Sequence, residues 1–434
     1  MIYLIYNILF TFLLIFVAPY FLFRSLIHER FRREWIQRMG FFPNLNLKRT
    51  IWFHAASVGE VLCTIPLLKK IKKEFPNCSI VFTTMTRTGN ETAKTHIPDA
   101  DRVLFLPVDH PFFLRRALHR IQPCLLLITE TELWPNLLRS CGKRGIPTVL
   151  FNGRISEKSL RRYLSFKFFF KGCLNYLSLF MMQTEEDRTR MVEMGAAPDK
   201  GRVAGNIKFD LTFSTLNQQK LDDVAHFLGL REKRNILIAG STHAGEEEIL
   251  LTLFKDLRKL DPSLVCILAP RHLNRLEEVE KIFKKESISW KRKTSVTVEE
   301  GREIPEVILL DTMGELMGLY SLGTLIFVGG SLVPVGGHNP LEPLFFKKCV
   351  LFGPYMFHFL EISQRLIKEG GALQVKDKED LMLQMKRLLL DEAARNEIGQ
   401  KGYRFLQQHQ GATERMFEEI RPLLISQSCS PIVE

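Results

Sequence analysis

Residues Cys124–Ile128 read CLLLI and run straight into TETELWP, Thr129–Pro135. A near-continuous apolar run of this length, without polar alternation, is the pattern of a strand buried on both faces, as in a parallel sheet. The residues after it change character at once: two acids, Glu130 and Glu132, then a proline that suits a helix start. Strand, polar loop, helix is the repeating unit of a doubly wound α/β domain. In such domains ligands bind beyond the carboxyl ends of the strands.

The same unit recurs on both sides. Upstream, strands are expected at Thr50–His54, Ser79–Thr83 and Val103–Leu106; downstream, at Thr148–Phe151, Leu179–Gln183 and Arg202–Ala204. A polar, weakly periodic stretch, 212–234, reads as a link between domains. The alternation then restarts, with strands expected at Asn235–Ala239, Leu264–Leu268, Val307–Leu310, Thr324–Val328, Val350–Phe352 and Ala372–Val375. Two Rossmann-like α/β domains follow, 48–211 and 235–434, with a cleft between them expected as the active site. The stretch beyond Gln410 has the pattern of a helix that returns to the first domain.

The chain has 434 residues, 46% of them hydrophobic and 25% charged, a globular composition with ample core. Its net charge of +12 calls for an anionic partner. Eight scattered cysteines, without C-x-x-C or a Cys/His cluster, exclude a disulfide framework and a zinc site by pattern and fit reduced thiols. No charge occurs from Ile2 to Phe23, and Arg24, Arg30, Arg32, Arg33 and Arg38 follow. Residues 1–23 are long enough to span a bilayer, and the basic segment 24–47 puts the rest on the cytoplasmic side. The alternative is a peripheral hairpin or an interfacial helix lying in the membrane plane.

The loops after strands hold the unusual residues. "HAASVGEV", His54–Val61, contains Ser57-Val58-Gly59-Glu60, a capping box in which Glu60 starts a helix. Thr129-x-x-Glu132 is a second such match, whereas Glu130 has no capping duty. "NGRIS" brings Asn152 and Arg154, and "GNIKFD" brings Lys208. In the second half, "AGSTHAGEEE" places Gly240, Ser241 and Thr242 at a turn suited to a phosphate. Arg271 follows a strand and suits a phosphate too. Met313 and Gly314 begin a short helix. In "FVGGSLVPVGGHNPLEP" the glycines 329, 330, 336 and 337 are expected to admit a ligand, with Asn339 as N-cap and Pro340 at the first helical position. Neither G-x-x-x-x-G-K-[ST] nor G-x-G-x-x-G occurs, and Asp99-Ala100-Asp101 precedes its strand, as a turn would.

"WFHAASVGEV", "FTTMTRTG", "TETELWPNLL", "NGRIS", "GNIKFD", "AGSTHAGEEE", "APRH" and "GGSLVPVGGHNPLEP" run in order between about residues 50 and 345. Together they resemble the Kdo transferase family, lipid A glycosyltransferases that add 3-deoxy-D-manno-octulosonic acid. The resemblance implies a GT-B fold, CMP-Kdo as donor, and the tetraacyl lipid A precursor lipid IVA in the membrane as acceptor. It implies Glu60 as general base of an inverting transfer, with Glu130 and Lys208 as transition-state stabilisers. It places CMP against Pro270-Arg271, Met313-Gly314-Glu315 and Gly337-His338-Asn339-Pro340. No cofactor, metal or nucleic acid is implied. The basic and aromatic run Arg161–Leu177 and Arg115, Arg116 and Arg120 are expected to meet an anionic membrane surface. A UDP-sugar transferase acting on a lipid, and a non-catalytic membrane-anchored anion-binding protein, remain as other readings.

Overall fold

The computed structural model describes residues 2–43, 45–210, 234–295 and 305–427. The expected link 212–234 lies, except for its last residue, outside the described residues. The chain forms two units, one of Met1–Leu211 with Gln410–Glu434 and one of Thr212–His409.

The first unit opens with helices α1 (Ile2–Ile27) and α2 (Glu29–Arg38). Strands β1 (Thr50–Ala55), β2 (Ser79–Thr84), β3 (Arg102–Phe105), β4 (Pro123–Thr129), β5 (Thr148–Gly153), β6 (Leu179–Met182) and β7 (Gly201–Val203) then alternate with helices. The helices are α3 (Val58–Glu74), α4 (Arg87–His96), α5 (Pro111–Ile121), α6 (Pro135–Gly142), α7 (Glu157–Ser165), α8 (Lys167–Leu174) and α9 (Glu185–Glu193). The sheet order is β3-β2-β1-β4-β5-β6-β7, and all pairs are parallel. Of the residues in β1, β4 and β5, only Cys124 is less than fully buried. The chain reverses its winding between β1 and β4, so the loops after these two strands flank the switch point.

The second sheet comprises β8 (Ile236–Thr242), β9 (Val265–Pro270), β10 (Trp290–Arg292), β11 (Val307–Leu309), β12 (Leu325–Val328), β13 (Val350–Phe352) and β14 (Leu373–Gln374), in the order β10-β11-β9-β8-β12-β13-β14. Its switch point lies between β8 and β12. Strand β10 is absent from the expected set. It is an edge strand in a basic stretch, half-buried throughout, and carries no apolar run to signal it.

Several boundaries move. The domain expected at 48–211 takes in residues 24–47: Phe31, Phe42 and Leu45 are buried, and Arg38 donates to the Met85 carbonyl at 2.5 Å. The domain expected to end at 434 ends at His409. From Gln410 the chain belongs to the first unit, as its helical pattern suggested. Asp210 accepts the Gly411 N–H at 2.6 Å and also the Thr413 N–H. The helix Ala412–Ser426 then buries Met416, Phe417, Ile420 and Leu424 in the same core as Ile51, Leu67 and Leu127. The basic aromatic run Arg161–Leu177 is broken at Phe166 into α7 and α8. Asp101 accepts the Ile80 N–H at 2.7 Å, so it is a structural group at the start of β3.

Phe417 packs near Phe75, with Lys70 over its ring. Phe417→Ala is expected to destabilise the first unit by about 3–5 kcal/mol, the usual cost of a large buried-ring truncation. Urea unfolding followed by near-UV circular dichroism checks it.

Candidate functional site

In the first unit, β1 is central and fully buried, so its polar successors are forced out at its carboxyl end. Ser57 caps α3, and Glu60 sits in the first turn. The Glu60 N–H donates to Ser57 Oγ at 3.5 Å, while the Ser57 hydroxyl donates to Glu60 Oε1 at 2.9 Å. Glu60 Oε2 accepts the N–H of Ala56 at 2.8 Å, one residue before the cap. A capping box in its usual form returns the Glu to the cap's own N–H. Here the carboxylate is clamped between Ala56 and Ser57. Burial, aided by the charges of Glu130 and Glu132, pushes the Glu60 carboxyl up from 4.5 to about 7 against the lowering effect of those hydrogen bonds. A rigid carboxyl that titrates near neutrality is the property a general base needs.

Glu130 follows β4 with φ of 56°, a left-handed conformation uncommon for a side chain of its size. Its N–H donates to the Phe151 carbonyl at 2.8 Å. Helix α6 starts only at Pro135, with Trp134 at the N-cap position, so Glu132 caps nothing and the second expected box is not formed. Burial, then Glu130, raises its carboxyl. Thr131 and Arg154 exchange hydrogen bonds and tie this loop to the one after β5.

Asn152 is fully buried, also with positive φ, and accepts the Ile207 N–H at 3.1 Å. Gln183 donates to its carbonyl, and Asn206 donates to Gln183. Asn206 also accepts the Lys208 N–H at 2.9 Å. This relay fixes the turn Ile207–Phe209 and so the base of Lys208; Asn152 is a brace and not a ligand-facing group. The Cys63 thiol, pushed up to about 12 by burial, is lowered by Lys208 and raised by Glu130 and Glu60. Glu130 therefore acts on the Glu60 carboxyl itself, whereas Lys208 is felt at Cys63, in the next turn of α3.

In the second unit the glycine loop follows β12. Its amides are already used. Glu246, in the first turn of α10 (Glu246–Arg258), is fully buried and accepts four backbone N–H groups: His243 at 2.9 Å, Gly330 at 2.7 Å, Ser331 at 2.9 Å and Leu332 at 2.9 Å. Burial raises its carboxyl, and the four donors oppose the rise. The carboxylate thus occupies the amides of the glycine loop and of His243, the residue after the expected turn Gly240-Ser241-Thr242. Gly336, Gly337 and His338 donate back to Gly330 and Gly329. The glycines serve packing: a Cβ at Gly329 would lie 2.5 Å from the Ser241 carbonyl, and one at Gly337, where φ is 75°, 2.3 Å from Met356 Sδ.

The nearby α-helix is Leu341–Leu344, and Pro340, not Asn339, is its N-cap residue. Asn339 accepts the Leu341 N–H and donates to Glu342. The helix expected from Met313 begins at Leu316, with Glu315 at its cap and paired to Lys293 at 3.0 Å. Met313 and Gly314 form an exposed turn, Pro270 closes β9 buried, and Arg271 is exposed. His338 stacks on His243 with Nε2–Nε2 at 2.8 Å, and the His272 ring stands edge-on to His243. Burial holds His338 down to about 3, and Arg271 adds to this. His243 is also held below its ordinary value by burial and by its charged neighbours, and the facing nitrogens of the two imidazoles are within hydrogen-bond distance. Arg271, His338 and His243 are the groups here suited to an anion.

Glu246 and His243 were not singled out from the sequence. Glu246 lies in a run of three acids at a helix start, a pattern fully accounted for by the helix dipole.

The family model described as 3-Deoxy-D-manno-octulosonic-acid transferase (kdotransferase) matches residues 33–211. A 3-deoxy-D-manno-octulosonic acid transferase of Haemophilus influenzae is 38% identical over 403 residues, 92% of this chain and 93% of the relative. One of Chlamydophila psittaci is 30% identical over 93% of this chain and 92% of its own. Among solved structures, the C-terminal CMP-Kdo binding domain of WaaA from Acinetobacter baumannii is 31% identical over 44% of this chain and 97% of that one, with a TM-score of 0.40. A glycosyltransferase from Rickettsia africae is 13% identical, covers 87% of this chain and 98% of its own, and has a TM-score of 0.54, a likeness of fold.

Glu246→Ala leaves three loop amides and that of His243 without their acceptor. Each unpaired buried donor costs roughly 1–3 kcal/mol. Hydrogen exchange at Gly330, Ser331 and Leu332 is expected to quicken at least about tenfold on that scale, and mass spectrometry of the loop peptide reads it.

Proposed function

The chain belongs to the 3-deoxy-D-manno-octulosonic acid (Kdo) transferase family, and we propose that it moves Kdo from CMP-Kdo to lipid IVA in a single inverting displacement. The observation that carries this reading is Glu60: a clamped carboxyl at the carboxyl end of a central strand, pushed up to about 7 by burial, with the charge of Glu130 acting on it.

Glu60 accepts the proton of the acceptor's sugar hydroxyl, the 6′-hydroxyl of lipid IVA, as that oxygen attacks the anomeric carbon of Kdo. The bond from that carbon to the CMP phosphate oxygen breaks, and CMP leaves with the electron pair. General-base help of this kind is worth roughly 10²–10⁴-fold. The departing phosphate needs no acid, but it needs its charge met. In the second unit Arg271, exposed directly after β9, is suited to that. CMP lies against Pro270-Arg271, the exposed turn Met313-Gly314 with Glu315, and the segment Gly337–Pro340. The role of Glu60 as capping residue and as base are one arrangement, since the hydrogen bonds that start α3 also fix the carboxyl.

The reaction is placed at the cytoplasmic face of the bacterial inner membrane, in lipopolysaccharide core biosynthesis, with the helix α1 as the attachment. Its apolar segment Tyr3–Ile27 has a mean hydropathy of 2.1. More than one Kdo is added if the product of the first transfer is accepted in turn.

With CMP-Kdo and lipid IVA, the lipid product is expected to gain the mass of one or more Kdo units, and Glu60→Gln is expected to lose turnover by about 10²-fold or more while still binding CMP. Incorporation from a UDP-sugar, with none from CMP-Kdo, replaces this donor assignment. The base acts deprotonated, so kcat/KM is expected to rise about tenfold per pH unit below about 7 and to level off above it. A flat profile from pH 5.5 to 8 removes Glu60 from that role.

A further inference from the structure

The polar residues in the first half of α1 fall on one stripe. Tyr3, Tyr6, Asn7 and Thr11 are spaced i, i+3, i+4, i+8, the spacing of a single helix face. Each is half-buried, and each has a partner in the first unit. The Tyr3 hydroxyl donates to Cys173 Sγ at 3.3 Å, and Arg139 lies over the Tyr3 ring at 4.5 Å. The Tyr6 hydroxyl donates to Asp109 Oδ2 at 3.2 Å. Asn136 Nδ2 donates to Asn7 Oδ1 at 2.7 Å, and Thr11 Oγ1 lies 3.2 Å from His110 Nε2. Phe169 of α8 packs against both tyrosines. Asp109 is itself 2% exposed and accepts the Asn136 and Leu137 N–H groups at the start of α6, so this docking face is a built one.

The stripe continues to the other end of the helix. Leu14, Val17, Ala18, Phe21 and Ser25 are half-buried at the same spacing, and Phe21 meets Trp35 of α2 with ring centroids 3.9 Å apart. The opposite face is apolar and exposed: Leu4, Ile8, Phe12, Ile15, Phe16 and Phe23.

This geometry conflicts with a helix that crosses the membrane. A helix of 26 residues is about 39 Å long. If it spanned, its Tyr3–Thr11 end would lie about 30 Å, one hydrocarbon core, from the side that holds the unit following Arg24. Yet that end is bonded to Asp109, His110 and Asn136 of that unit. Asn7 and Thr11 would also sit in hydrocarbon without those partners.

We propose that α1 lies in the plane of the membrane, docked along the first unit by its polar stripe, with its outer face sunk in the cytoplasmic leaflet of an anionic bilayer. The neighbouring surface fits that partner. Phe166 and Phe168 between and on the two short helices α7 and α8 are exposed, as is Phe112 at the start of α5. Arg24, Arg30, Arg32, Arg33 and Arg115 supply positive charge for anionic headgroups. The chain is then held without crossing, and both ends of α1 stay on one side. This deepens the membrane attachment given above and is independent of the sugar transferred.

The full-length chain, made in its membrane, tests this with two readouts besides activity. A protease-cleavable epitope is placed before residue 1, and Asn7→Cys/Asn136→Cys is treated with a short bismaleimide. Thr11→Cys/His110→Cys serves as the second pair, because Asn136 is buried. The epitope is expected to resist protease in intact spheroplasts and to be cut in inverted vesicles. At least one cysteine pair is expected to give a joined peptide by mass spectrometry. An epitope cut in intact spheroplasts, or no joined peptide from either pair, overturns the docked in-plane helix. A chain that fails to sediment with membranes at all overturns the attachment itself.

Discussion

Each unit is organised by a parallel sheet covered on both faces, and that burial decides where polar chemistry is allowed. Strands such as Leu125–Ile128 and Leu325–Val328 have no exposed edge along their length and satisfy their backbone through the ladders. Charged groups are therefore expelled to the strand ends. At the two switch points, helices on opposite faces splay apart and leave their first turns open. Glu60 and Glu130 stand at one switch point, and His243 and the glycine loop at the other.

The loops at those ends are held by carboxylates that accept backbone N–H groups. Glu246 binds the loop after β12, Asp109 the start of α6, Asp187 the Ile155 N–H after β5, and Asp210 the returning C-terminal segment. Each satisfies donors that burial would otherwise leave unpaired. Glu60 uses the same device with a different result. Its two hydrogen bonds fix the carboxyl but do not offset its desolvation, so it stays near the protonation balance point. Glu246 has four donors and is closed from solvent, which makes it a strut. Glu60 has two donors and stays partly open to solvent, whereas Glu246 has four and none of it is exposed.

The same distinction appears in α1. Counted by charge, it is a featureless apolar span. Placed on the fold, the hydroxyl and amide groups of its first half face partners at the start of α5, on α6 and on α8, and its apolar face is what remains for lipid.

The sequence alone determined the alternating strands and helices, because apolar runs and capping residues are local signals. It also determined the loops in which Glu60, Glu130, Lys208 and Arg271 lie, because strand ends are legible from where apolar runs stop. Tertiary structure decided what those loops do. The glycines around Gly329 and Gly337 are demanded by neighbours more than ten residues away in sequence, Asn152 is a buried brace, and Glu132 has no helix to cap. The edge strand β10 and the work of Glu246 are equally non-local, since each is defined by a partner that folding alone brings near. The orientation of α1 belongs with them: hydropathy reports that a helix suits lipid, and only the contacts along its other face report which way it lies.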